Sequence, residues 1–299
     1  MSEAPEWLEE GICVFAMEVT PGSADRLDEA VAMAEAAVAL APELAVSHNV
    51  LAFCQSCRAG YAAAVPHLQE CLRRDAEFEV AMEHLLAAPT SSQAREGADF
   101  LADQLRQQVL LGDGLLTFQR EAGAGWAADD VLSLLQELAA SWPGLWQGPV
   151  AMARQLQLLQ RTDDALRLLA EACDRFPQLP RVHLEHARAL QQALAPASAR
   201  QACAAALALS PSWNHAVRLQ VDLLGDHGRD WDEAVRVLER ALNDRHGWDD
   251  ADLIALLGWV HEQREDDGLA FDLARRSLLL DPRPNWVWAL ARRVCERRE

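Results

Sequence analysis

Lysine is absent from this chain of 299 residues, so all 27 basic side chains are arginine, set against 46 acidic ones and a net charge of -19. A balance of that sign excludes a general binder of nucleic acid or of anionic membrane, which needs a broad basic field. It leaves room for a local basic patch. Isoleucine occurs only at Ile12 and Ile254 and tyrosine only at Tyr61, so strands have little to work with, while abundant Ala and Leu favour helix. No run of about 18 apolar residues offers a membrane span. The segment Met1 to Glu10 is acidic and lacks the basic-then-apolar pattern of a secretory signal. The seven cysteines, an odd number scattered over helical segments, read as reduced thiols of a cytoplasmic protein rather than a disulfide framework. Missing lysine beside abundant Ala and Arg suits a GC-rich bacterial genome.

Catalytic signatures are missing as well. There is no G-x-S-x-G elbow, no phosphate-cradling glycine loop and no tuned Ser/His/Asp set. His261-Glu262 has no second histidine at the spacing of a zinc protease. A zinc site from Cys54, Cys57, His67, Cys71 and His48 lacks the second cysteine pair that makes such spacing specific. These absences predict no catalytic residue, no metal and no cofactor.

What is present is repetition. Ala165, Ala172 and Pro177 recur as Ala199, Ala206 and Pro211, and Arg154 recurs as Arg188, each after 34 residues. A fixed step of that size marks a helical-repeat solenoid. A small residue early in a second helix runs Ala30, Ala64, Ala98, Val131, Ala165, Ala199, Ala234 and Ala270. A helix-ending residue runs Pro42, Ala76, Leu110, Pro143, Pro177, Pro211, His246 and Pro282. The steps stay between 33 and 36, so about eight units fill the chain. A small residue at a crossing lets two antiparallel helices approach closely, flanking leucines make the apolar stripe, and the proline stops the helix.

The pattern resembles the tetratricopeptide repeat: Leu51 and Ala52 stand for its Leu-Gly pair, Gly60 and Tyr61 open the second helix, and Ala64 and Leu68 stand for its A-x3-F. Its tryptophan position holds His48, Met82, His183 or Val217, its tyrosine position Gln55, Leu156, Leu190 or Leu224, and only Gly258 keeps the glycine. The resemblance implies an all-α, right-handed α-solenoid of about eight hairpins. It forms one domain over 1–299, least regular at 88–128, with a capping helix at 285–299. Glu6 to Glu18 is expected to open the array, with a turn at Thr20 to Ser23. Residues 88–93 are expected to break the third unit, and Gly112 to Gly114 and Ala122 to Gly125 the fourth.

The resemblance also implies that first helices line a concave groove. Arg120, Arg154 and Arg188 then form a ladder spanning roughly 20 Å, the length of about six extended residues. Arg181, His215, Arg218, Gln147, Gln157, Gln191 and Gln192 lie nearby, and Trp259 would add an aromatic anchor. Guanidinium forks suit carboxylate or phosphate. The expected function is a non-catalytic protein-interaction scaffold holding an extended acidic or phosphorylated peptide of a partner protein, with no nucleic acid and no membrane. The competing reading is an internal ion-pair lattice, since Glu185 sits one turn before Arg188 and Asp222 occupies the next rung. The family's chaperone-tail clamp is not found, as Asn49 lacks the lysine and second asparagine expected around it. Two further readings stay open: an accessory or cryptic enzyme built on His183, Glu185, His186 and His215, and self-association through Trp286 and Trp288. Trp213, Trp231 and Trp248 are expected as wedges between repeats.

Overall fold

A computed structural model describes residues 24–226, 228–244 and 249–298. The expected opening helix at Glu6 to Glu18, the turn at Thr20 to Ser23, His246 and Trp248 lie outside the described residues. The described residues form sixteen α-helices, one short 3-10 turn and no strand. The chain divides between Arg161 and Thr162 into two compact units.

The first unit contains α1 (Ala24–Leu40), α2 (Ala45–Ala59), α3 (Tyr61–Arg74), α4 (Glu79–Leu86), α5 (Ser91–Gln107), α6 (Gly114–Glu121), α7 (Ala128–Ser141) and α8 (Gln147–Leu158). The second contains α9 (Thr162–Arg175), α10 (Pro180–Gln192), α11 (Pro196–Leu209), α12 (Asn214–Asp226), α13 (Trp231–Asp244), α14 (Ala251–Gln263), α15 (Asp267–Leu280) and α16 (Asn285–Arg298). Within each unit consecutive helices pack on one another, as short connections place antiparallel neighbours, except α5 and α6 of the first. First helices also touch the first helices of neighbouring hairpins: α4 meets α6 and α6 meets α8, while α10 meets α12, α12 meets α14 and α14 meets α16.

The small-residue column explains the tight hairpins. All eight residues, from Ala30 to Ala270, are buried. Larger apolar side chains fill the space between hairpins, as where Val217, Val221 and Leu224 of α12 meet Leu238 and Leu242 of α13 and Ile254 and Leu257 of α14. Burying one such side chain is worth about 1.5 to 3 kcal/mol, so the stack rather than local propensity holds each helix.

Helix ends follow local chemistry. Pro180 and Pro196 begin α10 and α11, where the missing N–H costs nothing. Asp250 and Asp266 cap α14 and α15 by accepting from the backbone N–H of Leu253 (3.0 Å) and Leu269 (3.2 Å). The first helices α8, α10 and α14 end on left-handed residues, Gln160 (φ 60), Leu194 (φ 57) and Glu265 (φ 62). At Leu194 the next amide, Ala195 N–H, reaches back to Leu190 C=O at 3.0 Å, while Leu194 N–H reaches Gln191 C=O at 3.0 Å. This is the Schellman closure usually given to glycine, and the same bonds recur at Gln160 and Glu265.

The closing prolines have a recurring partner. His48 Nε2 donates to the Pro42 carbonyl at 2.9 Å, His183 Nε2 to Pro177 at 3.0 Å and the Trp288 indole N–H to Pro282 at 2.8 Å. Histidine therefore fills the motif's tryptophan position by supplying the same ring N–H to a loop carbonyl.

The third and fourth hairpins differ from expectation in an instructive way. Residues 88–93 form the ordinary turn after α4 and the first residues of α5, with Thr90 capping α5 through Gln93 N–H at 3.3 Å. The irregularity lies in the first helices, α4 and α6, each of only 8 residues. Gly112 to Gly114 belongs to a loop wrapped around one carboxylate: Glu77 accepts from Leu111 N–H, from Gly112 N–H at 2.8 Å and from Gly114 N–H at 3.2 Å.

Candidate functional site

In the first unit, Arg120 ends α6 and pairs with Glu83 of α4 and, at 2.6 Å, with Glu121. Beside it runs a buried amide chain, in which Gln119 donates to Gln155 at 3.1 Å and Gln155 donates to the Ala128 carbonyl at 2.8 Å. Arg154 and Gln157 lie half-buried on α8, and Gln147 is buried at its start, donating to Asp113 at 3.2 Å. The first unit thus shows a rung of opposite charges between α4 and α6.

In the second unit, Arg181, Glu185, Arg188 and Gln192 recur at helical spacing along α10, and on α12 His215, Asp222 and Asp226 stand one repeat step after Arg181, Arg188 and Gln192, while Arg218 stands one step after the buried Leu184. Arg181, His215 and Arg218 are exposed, while Arg188 and Gln191 are half-buried. Arg188 donates to the buried Glu185 at 2.9 Å, one turn earlier. Burial lifts the Asp222 carboxyl above its ordinary range, with Arg218 pulling it back and Asp226 pushing it further up. Asn214, at the start of α12, donates to Asp250 at 3.0 Å and so ties two neighbouring first helices together.

Trp259 is half-buried and packs edge-on against Trp231, with ring centroids 5.5 Å apart and planes at 88°. It touches the clusters on both sides of α14. The same face ends in a charge knot, where Glu262 accepts from Arg293 at 2.9 Å and from Arg297 at 3.0 Å, and Arg297 also reaches Asp267 at 2.8 Å. Burial alone would raise the Glu262 carboxyl, but the two guanidiniums outweigh it and hold the group below its ordinary value.

The side chains of the enzyme reading have separate partners. His183 is bound to Pro177, His186 Nδ1 lies 3.7 Å from Cys173 Sγ, Glu185 holds Arg188, and His215 stacks edge-on with Trp213 at 6.1 Å. Burial pushes the Cys173 thiol up to about 11 and those of Cys71 and Cys203 to about 12, so all three stay protonated and inert near neutrality. Burial likewise lowers His186, with His183 adding to the effect.

The break expected at Ala122 to Gly125 shapes a cleft that the sequence did not reveal. The inserted turn Ala122–Ala124 is followed by Gly125, whose hypothetical Cβ would lie 2.5 Å from the Ala94 carbonyl oxygen. Only glycine allows that approach, and it sets Trp126 against α5. A cleft of about 450 Å³ results between α5 and α7.

Together these features define the class: an all-α, solenoid-type protein of tetratricopeptide-like helical hairpins, repeated along the described residues. The chain is similar to the crystal structure of yeast Tom70, at 14% identity and a TM-score of 0.61, over 99% of this chain and 66% of that one. It is also similar to MamA (14% identity, TM-score 0.42, 49% of this chain and 84% of that one). A third similar structure is the APC/C hetero-tetramer Cut9-Hcn1 (14% identity, TM-score 0.43, 96% of this chain and 52% of that one). At this identity the likeness shows the fold alone. No protein-family model matches the chain, and no curated protein matches it.

Proposed function

We propose that the chain is a non-catalytic protein-interaction scaffold whose second unit holds an extended acidic or phosphorylated segment of a partner along α10 and α12. The observation that carries this reading is the set of basic side chains on two first helices in direct contact, Arg181 and Arg188 on α10 with the exposed His215 and Arg218 on α12. Guanidinium forks meet carboxylate or phosphate in pairs of charge-assisted bonds. Gln191 adds an amide able to meet a peptide backbone. In the first unit Arg120, Arg154 and Gln157 stand on the first helices α6 and α8, with Arg120 already engaged by Glu83. Trp259 contributes here as packing that fixes α14 rather than as a contact.

The test is fluorescence anisotropy with a fluorescein-labelled peptide of six glutamates, at low and at physiological salt. The wild-type chain should bind, more weakly as salt rises. Arg188→Glu with Arg218→Glu should weaken binding by tenfold or more, and Asp222→Asn should tighten it by removing a like charge. Equal binding by the folded double variant and the wild type would overturn the proposal.

A second reading, self-association through the last helix, is favoured by the exposure of Trp286 and Trp288, at 38% and 54%. Light scattering that shows only monomer at high concentration would remove it.

A further inference from the structure

The cleft between α5 and α7 belongs to the first unit and to second helices, so it is separate from the residues of the proposed groove. Its floor is Trp126, half-buried, braced edge-on by the buried Phe118 at 5.8 Å and fixed by an indole hydrogen bond to Asp99 Oδ1 at 2.7 Å. Charged groups from both helices surround the ring: Arg95, Asp99 and Arg106 from α5, Asp130 and Glu137 from α7.

The charges are not equally available. Arg106 spans the cleft to Glu137 with a forked pair at 2.9 and 3.1 Å and takes Asp103 as a further partner at 3.3 Å, so this arginine and Glu137 satisfy each other. The Asp130 carboxylate has no ion-pair or hydrogen-bond partner among the described residues, and Asp99 engages Trp126 through one oxygen only. Arg95 also lacks a partner among the described residues, although Asp99 stands one turn away on the same helix. Two available carboxylates therefore face an indole and a single available guanidinium. An anion would meet Asp99 and Asp130 at once. A cation would lie on the ring, where the quadrupole attracts it, with a carboxylate on either helix to neutralise it.

We propose that this cleft binds a guanidinium or ammonium side chain of a partner protein, laid on Trp126 between Asp99 and Asp130. Arg95 limits the affinity by like-charge repulsion and selects partners that carry a carboxylate beside the basic residue. The chain's net charge of -19 favours approach of such a basic side chain.

Labelling the full chain with 5-fluorotryptophan isolates the site, because the Trp126 fluorine signal is assigned by its loss in Trp126→Phe. N-acetyl-argininamide should shift that signal saturably, whereas the neutral citrulline counterpart and inorganic phosphate should not. Asp130→Asn, which removes no structural bond, should weaken argininamide binding about fivefold, and Arg95→Ala should strengthen it. Equal response to the citrulline compound, a response to phosphate alone, or unchanged affinity in Asp130→Asn would each overturn the proposal. None of these results bears on peptide binding along α10 and α12, which is read with a different probe.

Discussion

At the scale of single residues, the repeat is carried by side chains too small to be noticed singly. Ala199 has no exposed surface and sits where α11 crosses its partner. Ala199→Trp should therefore overpack the crossing and destabilise the chain by about 1 to 3 kcal/mol or more, measured as a lowered urea midpoint. The opposite opportunity lies at Leu194. It is 82% exposed yet holds φ 57, a conformation that a β-carbon disfavours and asparagine tolerates. Leu194→Asn should raise stability by about 0.5 to 1 kcal/mol, since no packing is lost; an unchanged midpoint would show that the turn costs the chain nothing. The small column was legible because a crossing selects residue size and little else. The left-handed turns at Gln160, Leu194 and Glu265 were not, since the glycine that would have marked them is absent and the hydrogen bonds that define them are made by the backbone.

Elements add what single positions cannot show. α16 is fastened to α14 and α15 by Arg293 and Arg297, which converge on Glu262 and Asp267. The Glu262 side chain is only 6% exposed, so removing both arginines strands a buried carboxylate. Arg293→Ala with Arg297→Ala should lower the urea midpoint and should speed hydrogen exchange in α16 before the rest of the second unit. Glu262 is held below its ordinary value, so its contribution is complete above the unfolded carboxylate value of about 4.3 and fades as pH falls through the folded one. Acid should therefore release α16 early in the wild type, and this pH dependence should flatten in Glu262→Gln. The terminal helix was legible from its place after Pro282 and from its arginines, but their shared acceptor was not. Glu262 reads in sequence as part of a failed zinc pattern, and only the stacking of α14 on α16 shows what it does. The same reason hid the partner of Arg120. Glu83 lies 37 residues away, on the neighbouring first helix.

For the molecule as a whole, the repeat step was the most legible property and the charge pattern the least. Spacing survives substitution because helix crossings demand it, whereas an arginine acquires its meaning from what faces it. Arg188 faces Glu185, Arg120 faces Glu83, and Arg218 lies close enough to Asp222 to pull its carboxyl down. A basic ladder read from sequence thus becomes a set of alternating charges in which Arg181, His215 and Arg218 stay exposed. The cleft at Trp126 arises the same way, from an inserted turn whose glycine fits a backbone that sequence periodicity does not reveal.

Everything proposed for the second unit depends on first helices stacking so that residues one step apart become neighbours on one face. The most direct measurement is the distance between nitroxide labels at Arg181→Cys on α10 and Asp252→Cys on α14, two rungs apart, in a background without other reactive cysteines. Double electron–electron resonance should give one narrow distribution near about 20 Å, twice the usual interaxial spacing. A broad distribution, or a maximum well beyond about 35 Å, would contradict the common face and remove the basis for a binding surface on α10 and α12.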